Sequence, residues 1–487
     1  MSRDLGPGAH VHFVAVCGVG TGSLAGLLKQ QGYRVTGSDE NVYPPMSTFL
    51  EGIGIDIMPG YREEHLGDGD GPDLVVIGNA VSRGNPEAEA VLRRGIPYVS
   101  LPQALGRFLI DGKHSVVVAG THGKTTTTSL MSWVLVAAGL DPSFFIGGIP
   151  VNFGSGFRAG AGSWVVMEGD EYDSAFFDKG PKFLHYQPER VILTSLEFDH
   201  ADIYRDLEHV KQAFRRLVEI IPPGGSLLVC DEAANAMDLV GGAACPVLSY
   251  GLGASADWQA RDVHAEGAGM AFTPCYKGAA EGRVEVPLIG RHNAGNALAV
   301  YATARAIGLG ATAVRSAMAT FRGVRRRQEI AGEAAGVLVV DDFAHHPTAV
   351  AETMAAVRAA WPERRLWAVF EPRSQTSRRR VFLEEFARAL AGADRVILPD
   401  LYHPEKIPEE ERLSAAELVD LINRDRGERA ASYLPGVDDI AAVLVRDAAE
   451  GDIVLVMSNG SFGDLPEKVL AGLRRRPAPS PSGRGSG

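Results

Sequence analysis

The run Gly120-Thr121-His122-Gly123-Lys124-Thr125 lies between the β-branched stretch Ser115–Ala119 and a helical stretch from about Thr125 to Ala138. No other feature constrains the fold of this chain as much. A strand that ends in a glycine turn and passes directly into a helix belongs to a parallel sheet, because the return to a parallel neighbour needs a crossover of about a dozen residues or more. The turn also aims backbone N–H groups and a helix N-terminus at one point, which suits a phosphate. There Lys124 would reach the β- and γ-phosphates and the Thr125 hydroxyl would ligate Mg2+. The general phosphate-loop pattern has a glycine where this sequence has Val118, so the loop is a shortened variant.

Strand-like and helical runs alternate along nearly the whole chain, so the expected fold class is α/β. At 487 residues it exceeds what one hydrophobic core fills. We expect a Rossmann-like unit over 1–110, with strands Val11–Cys17, Arg34–Gly37 and Leu74–Gly78 and helices near 22–31 and 86–94. A central, P-loop ATPase-like unit with a mostly parallel sheet follows over 111–331. It carries strands Trp164–Met167, Val191–Thr194 and Leu227–Cys230, an antiparallel patch at 250–290 and a helix over 294–307. A second Rossmann-like unit spans 332–476, with strands Gly336–Asp341, Leu366–Phe370, Arg395–Leu398 and Asp452–Met457. The stretch 477–487, rich in Pro, Ser and Gly, reads as a disordered tail.

Charge narrows the partners. Lys plus Arg number 48 against 60 Asp plus Glu, a net charge of −12, which argues against a non-specific nucleic-acid binder. An anionic small molecule stays open, because a few local donors hold phosphate whatever the global balance. Cys17, Cys230, Cys245 and Cys275 show no metal spacing and no disulfide framework. With no apolar leader and no stretch long enough to span a bilayer, a cytoplasmic protein without membrane partners is expected.

Several further motifs sit at expected strand ends, where open α/β sheets bind ligands. Gly18-Val19-Gly20-Thr21-Gly22-Ser23, with Asp39 downstream, resembles a dinucleotide turn but has Ser23 at the third glycine position; it could hold NAD, another nucleotide's diphosphate, or nothing. In Glu168-Gly169-Asp170-Glu171-Tyr172-Asp173, Glu168 is the first residue off its strand and the best hard-oxygen ligand for magnesium, while Glu171 and Asp173 fit a solvated turn better. Asp199 and His200 of Glu197-Phe198-Asp199-His200 face the same crevice. Asn293 and Asn296 of the 290–296 segment could cap a helix or read an adenine edge, and spacing does not choose. Arg325-Arg326-Arg327 is either a solvated run or a hinge group that reaches transferring phosphate. His345 and His346 suggest a metal poorly, since neighbours in sequence point apart and no third ligand is evident. Glu371–Thr376 and Ser458–Gly463 end the remaining strands.

GTHGKT (120–125), EGDEYD (168–173), LEFDH (196–200), GRHNAGN (290–296), the arginine triplet and DDFAHHPTA (341–349) occur in the order found in the Mur ligase family. The chain resembles that family from about His12 to Leu473. The resemblance implies three α/β domains and ATP-dependent amide-bond formation in peptidoglycan assembly, with ATP and Mg2+ required. It reassigns the first glycine turn to a UDP-sugar, implicating Gly18, Gly20, Ser38, Asp39 and Ser82. It implies ATP contacts from Gly120, Thr121, His122, Gly123, Lys124, Thr125 and Thr126, from His292, Asn293 and Asn296 at adenine, and from Arg327 and Asp342. The metal ligands it implies are Thr125, Glu168 and His200, and the catalytic groups Lys124, Glu168, His200 and Arg327. Several relatives carry a carbamylated lysine after the DH motif. Here that place is Phe214, with Lys211 a turn earlier, so none is expected.

Within the family, NVYPPMS (41–47), GNAVSRGNPE (78–87), EYDSAFFDKGPKFLHY (171–186) and FEPRSQT (370–376) resemble the branch that joins L-Ala-γ-D-Glu-meso-diaminopimelate to UDP-N-acetylmuramate in wall recycling. The branch that adds L-alanine to the same nucleotide sugar has a Gln-Pro-His-Arg type sequence at the last position and is the alternative. Arg373 and Ser374 are expected at the peptide's carboxylate end, from their position and from guanidinium fork geometry.

Overall fold

The computed structural model describes residues 5–476 other than Pro45, Asp70, Asp202 and Glu428; the expected tail at 477–487 lies outside the described residues. Among the described residues, three large sheets follow one another along the chain, with a small two-stranded ribbon of Asp173–Ala175 and Asp178–Pro181. The first is five-stranded and parallel, in the order Asp56–Pro59, Arg34–Asp39, His10–Val14, Leu74–Ile77, Tyr98–Ser100. Its strand order reverses direction beside His10–Val14, which opens a crevice at the C-terminal strand ends. That first strand stops short of the expected Cys17. Ala15 turns to φ 68, and the N–H groups of Ala15 and Val16 both donate to Ser38 O, at 2.9 and 3.0 Å.

The central sheet is eleven-stranded. Ser143–Phe145, Trp164–Gly169, His114–Ala119, Arg190–Leu193, Ser226–Cys230 and Val247–Gly251 run parallel. Val116, Val117, Val118 and Ala119 are fully buried, as a strand covered by helices on both faces requires. Beyond them, Trp258–Glu266, Gly269–Tyr276 and Val284–Val286 form the antiparallel patch expected within 250–290. The helix Leu207–Glu219 shows how sequence dictates local structure here. Asp206 accepts from His209 N at 2.8 Å, and Val210, Ala213, Phe214, Leu217 and Val218 form one buried stripe.

The third sheet is six-stranded, in the order Glu329–Ala334, Val337–Asp342, Asp452–Met457, Arg365–Phe370, Arg395–Leu398, Ala431–Tyr433, with only the first antiparallel. Glu329–Ala334 straddles residue 331 and pairs with Val337–Asp342, so the change of sheet falls before residue 329. Among the described residues, no helix is long and apolar enough to cross a membrane.

Candidate active site

The phosphate loop depends on two glycines whose conformation and surroundings disfavour any side chain. Gly120 has φ 136, and a Cβ there would lie 2.2 Å from Thr194 Oγ1. Gly123 has φ 79, and a Cβ there would lie 2.8 Å from Asn296 Oδ1. The helix Lys124–Ala137 starts at once. Val118, where longer loops have their first glycine, is buried in the strand.

The loop opens on a cleft of about 330 Å³ between the central and third units, lined by residues from both. Thr125 Oγ1 donates to Glu168 Oε1 at 2.8 Å, and Gly147 N–H fixes the other carboxylate oxygen at 2.7 Å. A hydroxyl and a carboxylate held this close match neighbouring ligands of a hard cation, which sit roughly 3 Å apart for bonds of about 2.1 Å. The strand continues to Gly169, so Glu168 is its penultimate residue and not the first beyond it; this anchors the carboxylate on rigid backbone. His200 lines the same cleft, but its Nε2 meets Glu171 Oε1 at 3.1 Å. Thr125 and Glu168 are therefore joined, while His200 is engaged elsewhere.

Glu171 corrects the sequence reading. It is 2% exposed, and its carboxylate lies 2.9 Å from Lys124 Nζ. Tyr204 OH donates to its backbone oxygen at 2.6 Å, tucking the turn inward. Burial alone would neutralise the pair. The opposed charges win, with Lys124 held protonated above its ordinary range and Glu171 ionised below its own. Lys124 also donates to Thr121 O at 3.2 Å, so this loop holds its lysine folded back on protein acceptors.

The three arginines do three different things. Arg325 pairs with Glu329 at the surface. Arg326, at φ 57, donates to Ser458 O at 2.6 Å and to Gly460 O, and lies 3.3 Å from Asp341, tying the hinge to the third sheet. Arg327 enters the cleft, donates to Thr125 Oγ1 at 3.2 Å and lies 4.4 Å over the Phe343 ring. Burial, with Asp342 beside it, raises the pKa of Asp341 to about 6 from 3.8, against the pull of Arg326. Between these values the folded chain keeps a proton that the unfolded chain has released, so stability from this group falls as pH rises from about 4 to 6. Asp341→Asn should remove that component: its Tm relative to wild type should climb across the window, as thermal unfolding at several pH values will report.

Asn293 and Asn296 do not cap their helix, which starts at Arg291 with Gly290 as N-cap. Asn293 Nδ2 donates to Ile289 O and Gln328 Oε1, and Asn296 Nδ2 to Asn293 Oδ1, which leaves a chained amide edge on the cleft beside His292. Asp342 accepts from Gln328 N and Ala344 N, both at 2.7 Å, and so shapes the cleft floor. Thr126 also lines the cleft.

The expected UDP-sugar residues lie at or beyond strand ends of the first sheet, with Gly20 in the first turn of the helix Val19–Gln30. Gly18 caps its first helix, Ser38 and Asp39 end a strand, and Ser82 follows another. Asp39 is also structural, accepting from Cys17 N and Asn41 N at 2.8 Å each. On the third unit, Arg373 stacks 3.7 Å over Tyr402, and a side chain at Gly460 would collide with it. Ser374 does not present a free hydroxyl: its Oγ donates to Ser377 Oγ and accepts from Ser377 N, both at 2.9 Å, closing a turn. The sequence reading missed Thr376, whose Oγ1 accepts from His200 N at 3.0 Å and joins the third unit to the cleft. Phe214 is buried against Phe183, and Lys211 pairs with Asp238 at 2.7 Å.

A phosphate loop joined to an acidic strand end, in a cleft lined by two α/β units and preceded in the chain by a separate parallel sheet, defines the class of multidomain ATP-dependent ligases. Family models agree over nearly the whole length: the Mur ligase family catalytic domain over residues 10–112, the Mur ligase middle domain over 118–304 and the Mur ligase glutamate ligase domain over 326–460. The chain is 41% identical over 467 residues to the Escherichia coli UDP-N-acetylmuramate–L-alanyl-γ-D-glutamyl-meso-2,6-diaminoheptandioate ligase, covering 96% of this chain and 98% of that one. It is 36% identical to the Halorhodospira halophila UDP-N-acetylmuramate–L-alanine ligase over 95% of this chain and 93% of that one. The crystal structure of a murein peptide ligase from Psychrobacter arcticus superposes with a TM-score of 0.69 at 36% identity, covering 97% of this chain and all of that one. The chain belongs to the Mur ligase family, whose members form amide bonds with conversion of ATP to ADP.

Proposed function

We propose that this chain joins the tripeptide L-Ala-γ-D-Glu-meso-diaminopimelate to UDP-N-acetylmuramate, in reuse of peptide recovered from the cell wall. The observation that carries the reading is a single cleft that gathers Lys124, Thr125, Glu168, His292, Asn296, Arg327 and Asp342 from two units. The full-length similarity to a ligase named for that tripeptide supports the choice of acceptor. The acyl donor is the lactyl carboxylate of the nucleotide sugar, held over the first sheet by Gly18, Gly20, Ser38, Asp39 and Ser82.

A carboxylate does not acylate an amine directly, because oxide is too poor a leaving group. The carboxylate oxygen attacks the γ-phosphorus of ATP, the bond to the β-phosphate oxygen breaks, and ADP and an acyl phosphate result. Lys124 leaves Glu171 for the transferring phosphoryl group, and Arg327 adds a second positive charge from the hinge. Thr125, Glu168 and, once freed from Glu171, His200 would hold magnesium, which supplies charge neutralisation between the two anions. His292, Asn293 and Asn296 face adenine. The L-alanyl amine then attacks the acyl carbon, an amide forms, and inorganic phosphate and a proton leave. Closure of the third unit keeps water from the acyl phosphate, with Arg373 beside the incoming peptide and Ser374 shaping its turn.

Phosphate release with ATP, Mg2+ and UDP-N-acetylmuramate is the test. Turnover is expected with the tripeptide and at background with free L-alanine. Turnover with L-alanine alone would keep the site and mechanism but transfer the chain to the alanine-adding branch, to which it is also similar.

A further inference from the structure

A second group of ligand-type side chains converges behind the phosphate loop, outside the Lys124–Glu168 centre. His122 comes from the loop itself, Glu197 from the segment after Arg190–Leu193, and His346 from the residue before the helix Pro347–Ala360. His122 Nε2 lies 3.2 Å and His346 Nδ1 3.4 Å from the same oxygen, Glu197 Oε2, and all three ligand atoms are within 4.8 Å of one another. His345 meets Asp199 and His346 meets Glu197, both on the one segment that follows Arg190–Leu193.

His346 Nε2 is 3.2 Å from Phe198 O, a carbonyl that can only accept, so Nε2 donates there and the Nδ1 lone pair faces Glu197 Oε2. Nδ1 also accepts from Thr348 N at 3.4 Å, which fixes the ring at the start of the helix Pro347–Ala360.

We propose that His122, Glu197 and His346 bind a divalent transition cation of the zinc class, which bridges the phosphate loop to the third unit. Two imidazoles and one carboxylate are a zinc-type donor set, whereas magnesium prefers sites made mostly of oxygen. Ligands about 2.1 Å from a tetrahedral ion lie roughly 3.4 Å apart; the two imidazole nitrogens lie 3.2 and 3.4 Å from Glu197 Oε2 and within 4.8 Å of each other. The Phe198 carbonyl orients the His346 ring, and Thr348 Oγ1 donates to Glu197 Oε2 at 2.8 Å, the outer partners such ligands need. The adjoining cavity of about 480 Å³ adds Glu232 and Glu352 and, among the described residues, has no Lys or Arg in its lining, so it draws cations and leaves room for a water ligand. The ion would join the central and third units at a place the nucleotide metal does not occupy.

The test is a titration of the chelator-treated full chain with Co2+, whose visible absorption reports imidazole ligation, followed by displacement with Zn2+. One Co2+ per chain is expected, displaced by Zn2+ and retained in Glu168→Gln. Glu197→Gln and His346→Gln should each weaken it by more than the roughly 10- to 100-fold that losing an outer-shell partner causes. Equal spectra in all four proteins, loss of the band in Glu168→Gln, or no band at a large excess of Co2+ would each overturn the proposal. Should His346→Gln fail to fold, Glu197→Gln decides alone, because the amide keeps the side chain's shape and can still accept from Thr348.

Discussion

Lys124→Met should lose stability and catalysis together, and adding Glu171→Gln should restore only the first. In the single variant a buried carboxylate loses its ammonium partner and keeps only His200. Breaking a buried pair from one side costs about 3–5 kcal/mol, and His200 offsets part of that, so a Tm drop of several degrees is expected. The amide of the double variant has no charge to strand, and thermal unfolding should return close to wild type. Activity should not return. In the proposed mechanism the lysine is the cation the transferring phosphoryl group requires, so its loss should lower kcat by about a thousandfold or more in both variants. Recovery of phosphate release in the double variant would mean that Lys124 is merely the counter-ion of Glu171. The single and double variants thus separate a structural role from a chemical one at the same side chain.

The second large effect belongs to Arg327. Replacement by Ala should lower kcat by about a thousandfold, the lower end of what a charge-stabilising arginine contributes in phosphoryl transfer, with little change in KM for the tripeptide. Its stability signature should be the opposite of that of Lys124. Burial lowers the Arg327 pKa, and Asp342 and Glu168 only partly compensate, so the guanidinium is under-neutralised in the absence of an anionic ligand. Its removal should leave Tm unchanged or raise it. Arg327→Lys should recover only part of the rate, because an ammonium lacks the planar fork. Arg325→Ala is the matched control: an exposed pair contributes about 0–1 kcal/mol, and both rate and Tm should hold. A large Tm loss with Arg327→Ala and an unchanged kcat would remove the residue from the mechanism.

These contrasts mark the limits of the sequence. The strand, glycine turn and helix at 114–137 are legible because each is local. β-Branched residues fill a strand buried on both faces, Gly120 and Gly123 supply conformations other residues resist, and the helix follows without a gap. Thr125 and Glu168 could be paired from text alone, since a strand end beside a phosphate loop leaves few places for a carboxylate. Glu171 could not. Its neighbours Asp170, Tyr172 and Asp173 read as a polar turn, and its burial depends on Tyr204 and Lys124, 33 and 47 residues away in the chain.

The same reason separates Ser374 from Thr376. Both are hydroxyls in FEPRSQT, but one closes its own turn and the other reaches His200 across a domain boundary. Nothing in their spacing tells them apart. The chemistry and order of the motifs are enough to determine a three-domain α/β chain and its family, because periodicity, turn geometry and charge type are written in neighbouring residues. Only the tertiary structure decided which arginine of three enters the cleft, where Lys124 rests, and that His122, Glu197 and His346 meet. Those outcomes depend on the direction of each side chain and on which distant segments share a surface, and both are set by packing between domains.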